Sequence, residues 1–265
     1  MRLPMVVGNW ETDMDSIRAV ESATDLRKQT AEAYDVEVVV CPPIRWLTAV
    51  KEALKGSAIK VGAQDIGHRD SDLDRDGAAA TDLSDLCEYV VLGHSRRQQS
   101  GDSNDVIREK MAAVCRTPLQ PILCVGEKPV EKTAGKSEEA IARRLSGALN
   151  GICLGGTHAL VVVYEPAWAI SERDEVSGRQ VNDAAIQIRS TLTDLYNRKA
   201  AEAVRVLYGG SVTPDTVSEF IEQSEIDGVF VENAGMDAEE FADIIYLTEY
   251  VYFPNNPPIK DLIPW

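Results

Sequence analysis

Eight short apolar runs, each followed by a stretch whose apolar residues recur at helical spacing, constrain this chain more than any other feature. The runs cover residues 5–8, 36–41, 59–64, 89–93, 121–125, 161–164, 204–207 and 228–231. They are rich in β-branched residues and lack polar alternation, which is how strands buried on both faces of a parallel sheet read. Between them Trp46, Leu47, Val50 and Leu54, and again Ile107, Met111 and Val114, fall on single helical faces. Other helices are expected from Ser16 to about Tyr34 and over 138–149, 184–195 and 241–245. Strand and helix alternating eight times predict an α/β fold closed into a (β/α)8 TIM barrel, and 265 residues suffice for one such barrel.

The barrel is expected over 1–246. Residues 247–265, with four prolines and four aromatic residues among them, read as an extension lying against the barrel or a partner subunit. Residues 65–76 are polar and too long for a simple connector, which suggests a loop at an interface or over a site.

The formal charge of −16 argues against nucleic acid or an anionic membrane surface as a partner. No apolar run approaches the roughly 20 residues of a membrane span, and the first residues lead straight into a strand, so a cytoplasmic protein is expected. Five cysteines (41, 87, 115, 124 and 153) form no Cys-x-x-Cys pair and accompany only three histidines. They read as small buried thiols in a reducing compartment, with no metal and no cofactor implied.

In a barrel the strand C-termini converge on one mouth. Asn9, Gln64, His94, Glu127, Glu165, Ser211 and Glu232 all sit at strand ends. Glu165 follows Val161–Tyr164 directly and is stopped by Pro166, ahead of a mostly polar segment, 169–177. Such a carboxylate is either a member of a structural ion pair or a general base. His94 is either a satisfied core residue or, facing a carboxylate across a small pocket, the group that polarises a carbonyl while the carboxylate moves the proton. Gly209-Gly210-Ser211 reads either as a tight turn or as an anion nest, with Ser211 opening a helix.

Gly8-Asn9-Trp10, Leu92-Gly93-His94-Ser95, Cys124-Val125-Gly126-Glu127, Ala134-Gly135-Lys136, residues 164–170 and Tyr208-Gly209-Gly210-Ser211-Val212 stand in the order and near the spacing of one enzyme family. Over residues 5 to about 246 the chain resembles triosephosphate isomerase. The resemblance implies a homodimer that interconverts dihydroxyacetone phosphate and glyceraldehyde 3-phosphate without a cofactor. It implies Glu165 as proton shuttle, a neutral His94 as electrophile, Asn9, Ser171, Gly209, Gly210 and Ser211 as substrate contacts, and 169–177 as a lid. The 65–82 loop resembles the one that enters the partner's pocket, although Ala78-Ala79-Ala80-Thr81 stands where the family has larger, more polar residues.

The departures gather at the phosphate end. Glu11 stands where the family has lysine, Arg96 follows His94-Ser95 where it has glutamate, and Ser171-Glu172-Arg173 replaces the lid glycines. Glu232-Asn233 replaces a glycine pair. Exchanging a cation for an anion about 4 Å from a phosphate costs about 4 kcal/mol per charge pair at an effective dielectric near 20, on the order of a thousandfold in affinity. The exchanged signs of Glu11 and Arg96 suggest an inverted ion pair, and Arg173 or Arg97 is a candidate replacement cation. Two alternatives to the standard isomerase follow: a barrel without activity kept for binding or assembly, and an isomerase for a different or non-phosphorylated sugar.

Overall fold

The alternation closes on itself. In the computed structural model, which describes residues 2–10, 13–67, 78–153, 160–172, 176–232 and 234–254 and leaves out the side chains of 170–172, eight parallel strands pair in chain order and the last returns to the first. They are β1 (Met5–Asn9), β2 (Glu37–Cys41), β3 (Lys60–Ala63), β4 (Tyr89–Leu92), β5 (Gln120–Val125), β6 (Val161–Tyr164), β7 (Arg205–Tyr208) and β8 (Gly228–Val231). Helices α1 (Ser16–Gln29), α2 (Leu47–Ala53), α3 (Ala80–Leu83), α4 (Ser95–Gln99), α5 (Asn104–Val114) and α6 (Pro129–Thr133) lie in the first part of the chain. They are followed by α7 (Ser137–Leu149), α8 (Ala167–Glu172), α9 (Gly178–Leu195), α10 (Arg198–Ala203), α11 (Val217–Ile221) and α12 (Ala238–Tyr252).

Side chains alternate across each strand. Met5, Val7, Val39, Cys41, Tyr89, Val91, Ile122, Cys124, Val161, Val163, Leu207 and Phe230 form one buried cluster, the filled interior of the barrel. Their neighbours, among them Val6, Val38, Val90, Val162 and Val206, join a second cluster between the strands and the helices. Each fully buried apolar side chain contributes about 1.5–3 kcal/mol. A one-residue slip would move a whole set to the wrong layer, so the register is fixed and with it the residue at each strand end.

Several elements differ from the sequence reading. Helix α1 ends at Gln29 rather than near Tyr34, because Thr30 closes it with both its N–H and its hydroxyl on the Leu26 carbonyl. The N–H groups of Tyr34 and Asp35 bond instead to the Glu249 carboxylate of α12, at 2.8 and 2.7 Å. Helix α9 starts at Gly178, ahead of the expected 184, behind a capping box in which Ser177 and Gln180 serve each other's backbone N–H. Helix α12 runs from Asp237, its cap, to Tyr252. It therefore continues six residues past the expected domain end at 246, with Thr248 and Glu249 buried and the Tyr252 hydroxyl on the Ile226 carbonyl. Residues 255–265 of the extension lie outside the described residues. Cys41, Cys87 and Cys124 are buried, but Cys115 is half-buried and Cys153 exposed, so the reading of five buried thiols is corrected for these two. No helix among the described residues is long and apolar enough to cross a membrane.

Candidate active site

Strand alternation decides which residues reach the mouth. Val163 faces the barrel interior, so Glu165, two residues on, points the same way, while Tyr164 between them faces the helices. The Glu165 N–H bonds to the Val125 carbonyl at 2.7 Å, continuing the ladder one step past β6. The same parity carries Val7 to Asn9 and Phe230 to Glu232. His94 lies off this pattern because Gly93 takes a left-handed turn (φ +70°) that re-aims the chain after β4. A side chain at Gly93 would also meet the Cys124 carbonyl at 3.0 Å.

These turns bring three titratable groups together. His94 Nε2 lies 3.1 Å from Glu165 Oε1 and 2.9 Å from Glu232 Oε1. His94 and Glu165 are 5% and 4% exposed, so both interact in a largely water-free setting. The Arg96 N–H donates to His94 Nδ1 at 3.4 Å, closing the first turn of α4. That leaves the imidazole proton on Nε2, where the two carboxylates share it and neither lies in line with it.

Ser95 holds the base. Its N–H donates to Glu165 Oε2 at 3.0 Å and its hydroxyl to Oε1 at 2.8 Å. Asn9, 9% exposed, donates through its side-chain amide to Glu232, and the Arg96 guanidinium reaches the other Glu232 oxygen at 3.4 Å.

Burial raises the Glu165 pKa and the Glu232 charge adds to this, although His94 and the two Ser95 bonds oppose it. Burial would lower the His94 pKa, but Glu165 and Glu232 outweigh it and the value is raised. The direction is opposite to that expected of a neutral electrophile, and Glu232 is part of the reason. Glu232 itself is held low: burial works against it, yet His94, Arg96 and Asn9 prevail.

Donor atoms of His94, Glu165 and Glu232 lie within 4.8 Å of one another, a spacing that a cation could bridge. A histidine bound to a metal through Nε2 donates from its other ring nitrogen, whereas here Nδ1 accepts.

The other expected site residues divide. Gln64 donates its amide to the Trp10 and Cys41 carbonyls, tying the ends of β1 and β2. Glu127 is buried and accepts from the Tyr164 hydroxyl (3.2 Å) and Trp168 Nε1 (2.8 Å), so it anchors the start of α8 rather than facing His94. Gly209 and Gly210 are required by packing: a Cβ would fall 2.5 Å from Val163 Cγ1 at the first and 2.1 Å from the Tyr208 hydroxyl at the second. The Gly209 N–H is already bonded to the Tyr164 carbonyl at 2.8 Å.

Ser211 is exposed and opens no helix. Helix α11 begins at Val217, and the residues between form a turn stapled by Thr213 and Thr216. Ser171 falls within α8, so the expected loop over 169–177 is helical through Glu172, with Ala169 and Val176 buried at its two ends. Glu11, Asn233 and Arg173 lie outside the described residues, and the expected Glu11–Arg96 pair with them. The partner seen for Arg96 is Glu232. Arg97 is tied to Asp65 at 2.7 Å, which leaves it to the wall of the site.

Sequence reasoning missed Ser95 as the residue that holds the base. Its signal was its place directly after His94, where strand β4 passes into α4. It also missed that Glu232, which the inward parity of Phe230 places at the mouth, would reach His94.

Comparison with known proteins agrees with this geometry. A sequence model of the triosephosphate isomerase family matches residues 4–248. Triosephosphate isomerase of Moorella thermoacetica is 39% identical over 247 residues, covering 92% of this chain and 98% of that protein. The enzymes of Thermoanaerobacter sp. (strain X514) and Dictyoglomus turgidum are 35% and 34% identical, each covering 92% of this chain and 99% of its own length.

Proposed function

Because the chain belongs to the triosephosphate isomerase family, we propose that it interconverts glyceraldehyde 3-phosphate and dihydroxyacetone phosphate. Glu165 takes a proton from the carbon beside the carbonyl, and His94 donates from Nε2 to the carbonyl oxygen. An enediol forms, Glu165 returns the proton to the neighbouring carbon, and the hydroxyl on the other carbon gives its proton back to His94 as it becomes the new carbonyl. A glutamate base with a histidine electrophile is the established chemistry of this family.

The observation that carries the reading is the 3.1 Å approach of Glu165 Oε1 to His94 Nε2 at the barrel mouth, with both groups buried. A base and an acid that close can act on adjacent atoms of one small substrate. The raised pKa makes the Glu165 carboxylate a stronger base than an exposed one. Asn9, Gly209, Gly210 and Ser211 are the substrate contacts in this reading, and 169–177, anchored at Ala169 and Val176, is the lid that excludes water. The same reading carries assembly as a homodimer, no cofactor, and a cytoplasmic place in the glycolytic and gluconeogenic handling of trioses.

A coupled assay with glyceraldehyde 3-phosphate tests it, together with the uptake of solvent deuterium at the carbon that loses its proton. Glu165→Gln is expected to lower kcat by about 10²–10⁴-fold or more. Turnover that survives this change intact refutes the assignment.

A further inference from the structure

The cleft beside Gly209, Gly210 and Ser211, about 550 Å³, is poorly suited by charge to an anion. Carboxylates of Glu165, Glu232 and Glu240 line it, and among its described lining residues the only cation is Arg96. Arg96 also borders the adjoining cleft of about 370 Å³ that contains Asn9 and His94. It therefore borders both the cleft that holds His94 and Asn9 and the cleft that holds Glu165, Gly209, Gly210 and Ser211.

Arg96 is held lightly. Its guanidinium meets Glu232 Oε2 through one 3.4 Å contact, with its side chain 53% exposed. An exposed single contact of this kind is weak, whereas a guanidinium on a phosphate makes two parallel charge-assisted bonds. The other Glu232 oxygen lies 2.9 Å from His94 Nε2, the nitrogen whose hydrogen the substrate carbonyl must accept. Glu232 thus joins the catalytic imidazole to this cation.

We propose that Arg96 and Glu232 form a latch: before substrate binds, Glu232 occupies the carbonyl's seat on His94, and a phosphate that takes Arg96 displaces it. The inference rests on the isomerase reading above and deepens it. Only a substrate with an anionic group within reach of Arg96 opens the seat, which selects short phosphorylated sugars and leaves neutral sugars facing a closed site. Displacement also removes one of the two carboxylates that raise the His94 pKa, returning the imidazole toward the neutral form that can act as electrophile.

The test compares wild type, Glu232→Ala, Glu232→Gln and Arg96→Gln by steady-state kinetics with glyceraldehyde 3-phosphate and by calorimetric titration with inorganic phosphate. Glu232→Ala, which empties the seat, is expected to lower KM by about tenfold, the size of one lost competing contact. Glu232→Gln, which keeps an oxygen and loses the charge, should fall between it and wild type. Phosphate should bind more tightly to both Glu232 variants and more weakly to Arg96→Gln.

An active enzyme whose KM is unmoved by Glu232→Ala, or whose kcat collapses with it, overturns the latch and leaves the isomerase intact. Absence of turnover in all four proteins, with phosphate binding tightened by Glu232→Ala, keeps the latch and removes the isomerase.

Discussion

Both oxygens of Glu165 are held by Ser95, through its N–H and its hydroxyl. These bonds favour the ionised carboxylate and so oppose the burial that raises its pKa. Ser95→Ala removes the hydroxyl and lets the pKa rise further. A base with a higher pKa is less ionised at a given acid pH, so the acid limb of the kcat/KM profile should move to higher pH. A pH profile showing that limb unmoved or shifted downward would overturn the role given to the hydroxyl. Glu165 and His94 were legible from sequence because each follows an apolar strand directly and stands in a family motif. Ser95 and the reach of Glu232 were not, since they depend on how β4, β6 and β8 meet across the barrel, a distance of 70 residues or more along the chain.

At the scale of elements, the end of β5 is pressed against the end of β6. A Cβ on Gly126 would lie 1.9 Å from the Glu165 carbonyl oxygen, a backbone atom fixed by the sheet. Gly126→Ala must push the two strand ends apart, and we expect it to destabilise the fold by about 3 kcal/mol or more, read as a lower urea midpoint. Because Glu165 rides on that strand end, turnover should fall in the protein that remains folded. Near-normal stability and activity in this variant would show that the strands can part freely.

Helix α6 gives a second expectation. Burial pushes the Glu131 carboxyl up, but the Lys128 N–H and the guanidinium groups of Arg144 and Arg143 outweigh it and hold its pKa at about 2. A folded pKa below the ordinary value of about 4.3 means stability that is present above that value and lost as pH falls toward about 2. Unfolding midpoints measured across this window should decline less steeply in Glu131→Gln than in wild type, and equal slopes would remove Glu131 from the acid limb. The strands were legible within a residue or two because periodicity and burial agree there. Helix ends were read less well, at Gln29, Gly178 and Tyr252, because caps and distant partners such as Glu249 set them.

For the whole molecule, 43 acidic against 27 basic residues leave a charge of −16. The basic residues are used where strands and helices must be joined. Lys110, 1% exposed, holds Asp65 and Asp102, each at less than 3 Å. Arg189 ties Asp227 and Glu225 to α9, and Arg205 pairs with Glu37 between β7 and β2. The excess of carboxylates is left to repel itself across the surface, which opposes the compact state. Raising salt from about 0.1 M to 1 M shortens the screening length from about 10 Å to 3 Å. That range removes repulsion between exposed carboxylates but leaves pairs in direct contact and buried, such as Lys110 with Asp102, much less affected. The melting temperature should therefore rise with potassium chloride over this range. It should rise less in a protein whose exposed carboxylates at Glu138, Glu139 and Glu222 are replaced by glutamine, because that protein has less repulsion to screen. A melting temperature that falls with salt would mean that exposed ion pairs, rather than self-repulsion, dominate the electrostatics of this barrel.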